Sequence, residues 1–512
     1  MQKTIHTLLF ICFTLSGLGA QSPYLDPSFG FGGRFTHIFA PSNFSRLFST
    51  ARQSDGKIVG GGATYINNAF RAAALRCTPD GTLDTTFADH GQWISDDPAF
   101  GIVNHILVQP DGKILITGRS GGALKVVRLM PDGSYDTSFG NGGKANITVW
   151  SGFNAVAVID IVLLPNGKIV ILGILELNWD EIAMVRLRDT GTVDGSFGSF
   201  GIAKLHKSFF GANSIFADKI KNMPDNTLML TGNTYVNNEE VCYLMRYKIN
   251  GQIDFEFGEN GVRYIPNSGT HSMSEIWVMP DSSLLILGNI YDEHFKSALF
   301  KLKPDGTPDS TFAINGIGAM PYGDDSSSPY SGALQPDGKV VVFGGRIDGV
   351  GFLGRFNADG SVDADFGDNG TLALESQYEI LYDGFVQPDG NIVAASRYQT
   401  EDEIDACSLL RYLGSHAVGA IETHASPASA WIYPNPVRSG IFQIAYELPE
   451  AALVQIELLD LQGRYLGNLL VADRPAGKNE ENVGLPAGLA PGAYLVNIRS
   501  SRGNRVVRIA VW

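Results

Sequence analysis

The sequence has few charged residues and a deficit of positive charge, which excludes one large class of partner. Charged side chains make up 18% of the 512 residues, and 38 lysines and arginines stand against 53 aspartates and glutamates, for a formal net charge of −15. Proteins that bind the phosphate backbone of nucleic acids present a basic surface. A nucleic-acid partner is therefore not expected. The negative net charge needs no other explanation than that it keeps the protein soluble.

Cysteine is also scarce, with four residues in the chain. Cys12 lies in an N-terminal apolar run, and Cys77, Cys242 and Cys407 lie far apart with no C-x-x-C spacing. Neither a disulfide framework nor a metal-binding cluster is therefore expected. The three later cysteines fall on similar strands of a repeat, where small apolar residues are commonly buried.

Common catalytic motifs are missing. The sequence contains no H-E-x-x-H and no G-x-x-x-x-G-K-[ST]. The glycine-rich segment GFGGRF (30–35) opens no helix and so predicts no phosphate site, and the acidic segment 357–370 does not match a calcium-binding loop. We therefore predict no catalytic residue, no cofactor and no metal site.

Long hydrophobic runs are confined to the N-terminus. The apolar run from Leu8 to Leu18 follows Lys3 and precedes small residues up to Ala20. It is shorter than the ~20 residues that a membrane-spanning helix needs. This pattern predicts a secretory signal peptide over residues 1–20 and no transmembrane segment in the chain.

What the sequence does contain is a repeat. Seven copies of a turn phrase such as QPDGK lie 52 to 59 residues apart, and they begin at Gln53, Gln109, Leu164, Met223, Met279, Gln335 and Gln387. A period of this size is typical of solenoids and propellers. Pro, Asp and Gly in series indicate a tight turn, because Pro presets φ, Asp bonds its own backbone and Gly permits positive φ.

Each repeat has room for four short strands, here named A to D. Strand A precedes the turn (HILVQ, 105–109), B follows it (KILITG, 113–118), C carries a basic residue (KVVRL, 125–129), and D is a phrase D-x-x-F, as in LDTTF at 83–87. Strand B is apolar at consecutive positions, which is typical of a strand buried on both faces. Seven four-stranded repeats predict an all-β, seven-bladed propeller.

The D-x-x-F phrase also opens the chain, as LDPSF at 25–29, before any strand A. The seventh repeat, with its strand C at 407–413, has no such phrase after it. A propeller must close its ring or leave an exposed sheet edge. The offset predicts that the N-terminal strand completes the seventh blade as its outer strand; an open solenoid is the alternative.

The repeat region resembles the delta-60 repeat family of bacterial secreted β-propellers. The phrases QPDGK, VRLMPDG and LDTTF carry the resemblance, which covers about residues 24–414. It implies a propeller over residues 21–414. It implies no particular activity, because this repeat type has no single chemistry.

A basic residue of strand C and an aspartate of the D-x-x-F phrase recur together. The pairs are Arg76–Asp84, Arg128–Asp136, Arg186–Asp194, Arg246–Asp254, Lys301–Asp309, Arg355–Asp363 and, from the two chain ends, Arg411–Asp26. Facing residues of a hairpin lie close enough to interact. A basic ring for an anionic ligand is the alternative, but a device present in every blade serves the blade itself, so we predict structural ion pairs.

The loops between strands B and C vary, and loops on a rigid scaffold often carry function. Five of them combine an aromatic residue with Asn, Asp or Glu; the aromatic residues are Tyr65, Trp179, Tyr235, Tyr291 and Tyr398. Such rings suit sugars or protein partners. The alternative is that each ring shields the end of its own strand B. We predict these five as the ligand-binding residues of one face.

The C-terminal part has a different pattern. Residues 415–430 are small and polar, as linkers are, and segments such as LVQIELLD and AYLVNIR then alternate apolar and polar residues. This predicts a small immunoglobulin-like β-sandwich over residues 431–512.

That part resembles the type A C-terminal sorting domain of the type IX secretion system. The matching segments are YPNP (433–436), IELLDLQGR (456–464), PGAYLVNI (491–498) and the basic-apolar ending 505–512. The resemblance implies the type IX secretion machinery as a partner and a Bacteroidota-type Gram-negative source. It also implies export through the periplasm and outer membrane, followed by release or attachment at the cell surface.

Together these features predict an exported, non-catalytic propeller that binds polysaccharide or protein. One alternative is an extracellular propeller enzyme, a lyase or hydrolase of glycans, since such a site draws one residue from each blade and leaves no local motif. A purely structural surface protein is the other alternative.

Overall fold

The computed structural model describes most of the chain. The described residues are 24–39, 44–149, 156–175, 179–236, 239–265, 270–320, 326–374, 379–399, 405–414, 430–433, 437, 440–448, 451–459, 465–486, 488–490, 492–500 and 503–511. The predicted signal peptide (1–20), nearly all of the predicted linker (415–430) and the PNP of the YPNP motif lie outside them. The chain divides into two compact parts, Met1–Ala417 and Val418–Trp512.

The first part is built of strands. In chain order they are β1 (Arg34–His37), β2 (Ser45–Arg52), β3 (Ile58–Ile66), β4 (Ala69–Cys77), β5 (Gln92–Ile94), β6 (Phe100–Val108), β7 (Ile114–Ser120), β8 (Leu124–Leu129), β9 (Lys144–Ile147), β10 (Val156–Leu163), β11 (Ile169–Leu175), β12 (Glu181–Leu187), β13 (Ile202–His206), β14 (Lys219–Asn222), β15 (Leu228–Val236), β16 (Glu239–Tyr247), β17 (Val262–Tyr264), β18 (Thr270–Val278), β19 (Leu284–Asp292), β20 (His294–Leu302), β21 (Ile317–Ala319), β22 (Ser327–Leu334), β23 (Val340–Arg346), β24 (Gly351–Phe356), β25 (Thr371–Ala373), β26 (Ile380–Val386), β27 (Ile392–Gln399) and β28 (Asp405–Tyr412). A short 3-10 helix, Lys207–Phe209, follows β13.

Among the described residues, these strands form four-stranded antiparallel units. Units 1 to 6 are β2–β5, β6–β9, β10–β13, β14–β17, β18–β21 and β22–β25, and unit 7 is β26, β27, β28 and β1. A single residue pair, Val156–Ser120, joins units 2 and 3 into one larger sheet. In unit 7, Arg34–His37 pairs with Cys407–Leu410, so the N-terminal segment contributes an outer strand beside the last strand of the repeat region.

The turns form as the sequence predicted. In unit 2, the Asp132 carboxylate accepts a hydrogen bond from the backbone N–H of Ser134 at 2.9 Å, and Gly133 has φ +88°. Glycine at this position is required twice over, because a Cβ on Gly133 would lie 2.8 Å from a ring carbon of Phe87 in unit 1. The turn therefore also fixes the close approach of neighbouring units.

The fourth strand differs from the prediction. The D-x-x-F phrase is a turn, in which the backbone N–H of Phe87 donates to Asp84 O and that of Gly91 donates to Phe87 O. The strand begins five residues after the phenylalanine, at Gln92 in unit 1 and at Arg34 in unit 7. The prediction was wrong because the aspartate side chain caps the phrase through Thr86 and holds it out of the extended conformation.

The core lies between the units. Seven buried apolar clusters of the described residues each combine side chains of two consecutive units, and one of them combines units 7 and 1. The first strands of consecutive units also contact one another, and β26 contacts β2. We call these first strands the inner strands. Strands such as β3 are buried on both faces, because units pack against both sides of the sheet.

The second part is also all β. Its strands are β29 (Ala430–Tyr433), β30 (Ile441–Leu448), β31 (Ala452–Leu459), β32 (Tyr465–Arg474), β33 (Gly477–Gly484), β34 (Gly492–Ser500) and β35 (Gly503–Val511). They form a three-stranded sheet, β29-β30-β33, and a four-stranded sheet, β32-β31-β34-β35. One buried cluster contains side chains of both sheets, among them Phe442, Ile456 and Val496.

Candidate functional site

The structure brings each basic residue of strand C to the predicted aspartate. The nitrogen–oxygen distances are 2.9 Å for Arg76–Asp84, 2.8 Å for Arg128–Asp136, 2.8 Å for Arg186–Asp194, 2.7 Å for Arg246–Asp254, 3.6 Å for Lys301–Asp309, 2.6 Å for Arg355–Asp363 and 2.8 Å for Arg411–Asp26. The Lys301 pair is the widest, because an ammonium lacks the forked geometry with which a guanidinium meets a carboxylate.

Some of the arginines also reach the next unit, namely Arg76, Arg128, Arg186 and Arg411. Arg128 Nη1 donates to the backbone oxygen of Asp189 at 2.5 Å, and its guanidinium lies 4.4 Å from the ring centre of Phe139. Arg411 of unit 7 makes the same contact with unit 1, where its Nη1 donates to Pro79 O at 2.6 Å. These side chains are engaged by protein groups on several sides, which leaves little of them for a ligand.

The Asp136 carboxyl is stabilised in the charged form. Burial alone would raise the pKa of the Asp136 carboxyl, but hydrogen bonds from Ser138 and Lys113 and the charge of Arg128 hold that pKa well below its usual range. Ser138 donates to the same carboxylate from both its backbone N–H (3.1 Å) and its hydroxyl (2.6 Å). The pair is thus part of a local hydrogen-bond network that is partly shielded from water.

The five predicted aromatic residues lie at or beside the hairpins between strands B and C, which define one face of the first part, here called the loop face. Four of them expose a substantial share of their surface: Tyr65 (37%), Trp179 (37%), Tyr235 (37%) and Tyr291 (49%). Tyr398 is half-buried. The Asp-Gly turns occupy the opposite ends of the same strands, which we call the turn face.

Each of these rings is held by a neighbour. Tyr65 and Tyr291 contact Phe70 and Phe295 in the same hairpins, with ring centres 5.2 and 5.1 Å apart. Further contacts are Trp179 with Phe216 (4.9 Å), the Tyr235 hydroxyl with Glu240 (3.4 Å) and the Arg34 guanidinium with the Tyr398 ring (4.7 Å). The structure therefore places the five rings on one face but does not bring them together into one cluster.

A second group of residues was missed by the sequence analysis. One polar residue stands on each inner strand four positions before the first residue of the A–B turn, and we call this set the axial ring. Its members are Ser49, His105, Asp160, Lys219, Glu275, Ser331 and Asp383. In six of the seven inner strands a β-bulge directly precedes this position. Bulges re-aim side chains and commonly lie next to functional sites.

Polar contacts of the axial ring link neighbouring inner strands. At three junctions a ring side chain accepts a backbone N–H: Ser49 from Ile106 (3.1 Å), Asp160 from Ile220 (2.9 Å) and Asp383 from Thr50 (2.7 Å). At three others two ring side chains approach each other: His105 Nδ1 and Asp160 at 4.0 Å, Lys219 and Glu275 at 3.9 Å, and Ser331 and Asp383 at 2.7 Å. At the seventh, Ser274 donates to Pro329 O at 2.6 Å.

The electrostatics of this region are unusual. Burial lowers the pKa of His105 to about 4, and burial raises the pKa of Asp218, beside Lys219, to about 7. Burial also raises the pKa of Asp383, an effect that the charge of Lys219 partly opposes although the two residues belong to units 7 and 4. Charges from distant units therefore face a common axial space. Shifted titrations of this kind are frequent at functional sites.

Three aromatic residues lie one position before axial-ring members, on the side of the loop face. We call Phe48, Tyr330 and Tyr382 the axial arc. The ring centres of Phe48 and Tyr382 lie 5.1 Å apart, and those of Tyr330 and Tyr382 lie 5.8 Å apart. Tyr330 is 46% exposed. The arc spans units 6, 7 and 1, which are consecutive around the ring of contacts.

One sequence signal could have found the axial ring. When the repeats are aligned on the A–B turn, the fourth position before it is polar in every copy. Ordinary strand alternation hides this signal, because the bulge shifts the register at that point. The five loop aromatics could be predicted from the sequence because they stand beside the variable hairpins.

Cys77, Cys242 and Cys407 are buried. No grouping of three or more His, Cys, Asp or Glu side chains suited to a metal occurs in the part of the chain that the structure describes. Nor does a helix long and apolar enough to cross a membrane occur there.

Comparison with solved structures finds distant similarity. Polysaccharide lyase Uly1 is 9% identical, with 75% of this chain and 93% of that chain covered at a TM-score of 0.46. A putative exo-β-1,3-galactanase from Bifidobacterium bifidum s17 (9% identity, 49% and 85% covered, TM-score 0.30) and Bacillus subtilis arabinanase Arb43A (11%, 49% and 92%, 0.29) also match. At these TM-scores, the similarities carry no argument about activity. No curated protein matches the sequence.

Two family models match the sequence directly. The domain of unknown function DUF5122 β-propeller matches residues 53–87, 109–139 and 335–366, three copies of the turn-to-phenylalanine segment of the repeat. The secretion system C-terminal sorting domain matches residues 431–511. The predicted resemblances are thereby confirmed: the chain carries delta-60-like DUF5122 β-propeller repeats followed by a type IX C-terminal sorting domain, and it is an exported protein.

Proposed function

We propose that residues 21–414 form a closed seven-bladed propeller, with the N-terminal segment as the outer strand of the seventh blade. The pairing of Arg34–His37 with Cys407–Leu410 supports this closure. The buried cluster that combines units 7 and 1, and the hydrogen bond from Thr50 N to Asp383, support it independently. The Arg–Asp pairs would then serve as structural links within and between blades.

We further propose the remaining organisation of the chain. Residues 1–20 are a signal peptide, 415–430 a linker, and 431–512 an immunoglobulin-like sorting domain. The two sheets of the second part share one buried cluster, as the layers of a sandwich do. The sorting domain engages the type IX machinery of a Bacteroidota-type cell, after which the propeller is released or attached to the cell surface.

We propose that the exported propeller is a non-catalytic binding protein whose loop face takes up a polysaccharide or a protein. The observation that carries the proposal is the presence, on one face, of Tyr65, Trp179, Tyr235 and Tyr291 as partly exposed rings held by neighbours. Rings fixed before binding lose little entropy when a ligand arrives. Their amide and carboxylate neighbours favour a hydroxyl-rich ligand, so a polysaccharide is the first candidate.

A glycan array tests this proposal. The full chain and the variants Trp179→Ala and Tyr235→Ala are compared on extracellular polysaccharides, with Phe200→Ala as the matched control. Phe200 is an exposed ring near the turn face, in the connection that precedes β13. We expect weaker binding in the two loop-face variants and unchanged binding in the control. Equal signals for all four proteins contradict a loop-face site, and binding to no glycan directs the search to protein ligands.

A second candidate function is a propeller enzyme acting on glycans. The shifted pKa values of His105 and Asp218 in the axial region favour it, because general acids and bases need such tuning. Release of reducing ends or unsaturated products from the array-positive polysaccharides tests it. Turnover that Asp218→Asn abolishes, with the fold retained, identifies an enzyme; binding without turnover identifies a binding protein.

A further inference from the structure

The axial arc presents an exposed aromatic surface. Tyr330 leaves nearly half of its surface uncovered while its ring packs beside Tyr382, which in turn packs on Phe48. The position of the Tyr330 ring depends on Gly345, where a Cβ would lie 3.0 Å from the ring carbon Cε2. The glycine therefore lets the ring lie against the sheet. The result is a supported aromatic platform of the kind that stacks on flat apolar faces.

The axial ring places hydrogen-bonding groups one residue further from the loop face. Its carboxylates are mostly engaged by the protein: Asp383 accepts from Thr50 and Ser331, and Asp160 accepts from Ile220. Lys219 differs, because its ion-pair partner Glu275 lies 3.9 Å away, beyond hydrogen-bond distance. Within the described residues, the Lys219 ammonium donates no hydrogen bond. Its three N–H donors are available to a ligand oxygen.

The charges of the axial region nearly cancel. Lys219 and Lys221 are positive, and Glu275, 2.8 Å from Lys221, holds both in the charged form although burial opposes this. Against them stand Glu275, Asp160 and Asp383. A charged ligand would lose its hydration on entering this region and would also be repelled by groups of its own sign. A cation would meet the two ammonium groups, and an anion would meet the three carboxylates. A neutral ligand avoids this cost.

We propose that the axial arc and Lys219 form a binding site for a neutral saccharide, in which one sugar ring stacks on Tyr330 and a hydroxyl oxygen accepts from the Lys219 ammonium. The site lies on the inner strands, apart from the hairpin aromatics of the loop face. The inference rests on the proposed binding of a polysaccharide and specifies that this ligand is a neutral saccharide. Acidic saccharides are excluded by the carboxylates, which thereby set specificity.

The experiment measures affinity with defined probes. Isothermal titration calorimetry of the full chain uses neutral gluco-, manno-, galacto- and arabino-oligosaccharides and, as the acidic counterpart of the galacto series, an oligogalacturonide. We expect the tightest probe to be neutral and the oligogalacturonide to bind at least tenfold more weakly than it. An oligogalacturonide that binds as tightly as the best neutral probe overturns the proposal.

Variants locate the site. Tyr330→Ala should weaken the best neutral probe about tenfold or more, whereas Tyr330→Phe, which keeps the ring, should stay within about twofold of wild type. Lys219→Met should weaken it about 10- to 100-fold, because a hydrogen bond to a charged group is lost. Lys204→Met, on the outer strand β13, is the control and should bind as wild type. Thermal denaturation confirms that each variant is folded.

The outcomes separate this proposal from the loop-face proposal. If Tyr330→Ala and Lys219→Met weaken binding while Trp179→Ala and Tyr235→Ala do not, the axial site stands and the loop-face site falls. The reverse pattern overturns the axial site alone. If Tyr330→Phe loses as much affinity as Tyr330→Ala, stacking is not the mechanism and the axial proposal falls. If no probe binds, the axial proposal is refuted, whereas the loop-face proposal then requires a protein ligand.

Discussion

The N-terminal segment should contribute as much to stability as the corresponding segment of an interior repeat. Phe29 is fully buried, lies 4.7 Å from the Arg411 guanidinium and packs against Gly81 of unit 1. Truncation of a buried phenylalanine to alanine costs about 3–5 kcal/mol, from lost burial and from the cavity left behind. We therefore expect Phe29→Ala to lower the free energy of unfolding by about that amount.

Two matched variants make the test specific. Phe31 stands two residues away in the same turn but is 71% exposed, so Phe31→Ala should change stability by less than about 0.5 kcal/mol. Phe139 occupies the same position in unit 2 and is fully buried, so Phe139→Ala should cost about as much as Phe29→Ala. Urea denaturation of the full chain, followed by intrinsic fluorescence, gives the values. If the free energy of unfolding of Phe29→Ala is close to that of Phe31→Ala rather than to that of Phe139→Ala, the reasoning about closure is refuted.

Further predictions concern charged groups. Arg128→Met leaves the buried Asp136 carboxylate without its guanidinium and should cost about 3–5 kcal/mol, whereas Lys301→Met, from a 3.6 Å pair whose lysine is 28% exposed, should cost about 0–1 kcal/mol in the same urea experiment. Because the pKa of Asp136 is lowered on folding, its contribution is present above the unfolded pKa of about 4 and is lost as the pH falls through the folded pKa. The stability difference between wild type and Asp136→Asn should thus narrow below about pH 4, and a constant difference down to pH 2 would count against this. Asp218 has the opposite effect, because folding raises its pKa to about 7. Its contribution to the free energy of unfolding therefore declines as the pH rises from about 4 to about 7. Asp218→Asn should abolish that decline when unfolding is measured as a function of pH. Parallel profiles for the two proteins would contradict the assignment.

Local features of the repeat were the part that the sequence predicted best. The Asp-Gly turns and the pairing of residues such as Arg128 and Asp136, eight positions apart, depend on contacts within one hairpin. The fourth strand was misplaced because LDTTF has the composition of a strand, while the Asp84 side chain bonds the backbone two residues on and makes it a turn. Intrinsic strand propensity is weaker than such a cap.

The candidate site was predicted less completely. The loop aromatics, such as Trp179, stand in hairpins whose variability marks them in the sequence. The axial ring did not stand out, since a single polar residue such as His105 or Lys219 in one strand carries no signal by itself. Only the alignment of inner strands from all the units makes them one group, and a bulge before six of the seven positions disguises the side that the residue faces.

The sequence by itself determined the repeated unit, its turns, its ion pairs and the sorting domain, because these depend on residues close together in the chain or on motifs read in order. The offset of the D-x-x-F phrases predicted that the N-terminal segment joins the seventh repeat. Only the tertiary structure decided that its paired strand is Arg34–His37, beside Cys407–Leu410, and that Lys219 and Asp383 share one axial space. Those relations join residues more than 150 positions apart. They arise when successive units pack through their buried clusters and bring the inner strands together, a geometry that no local pattern encodes.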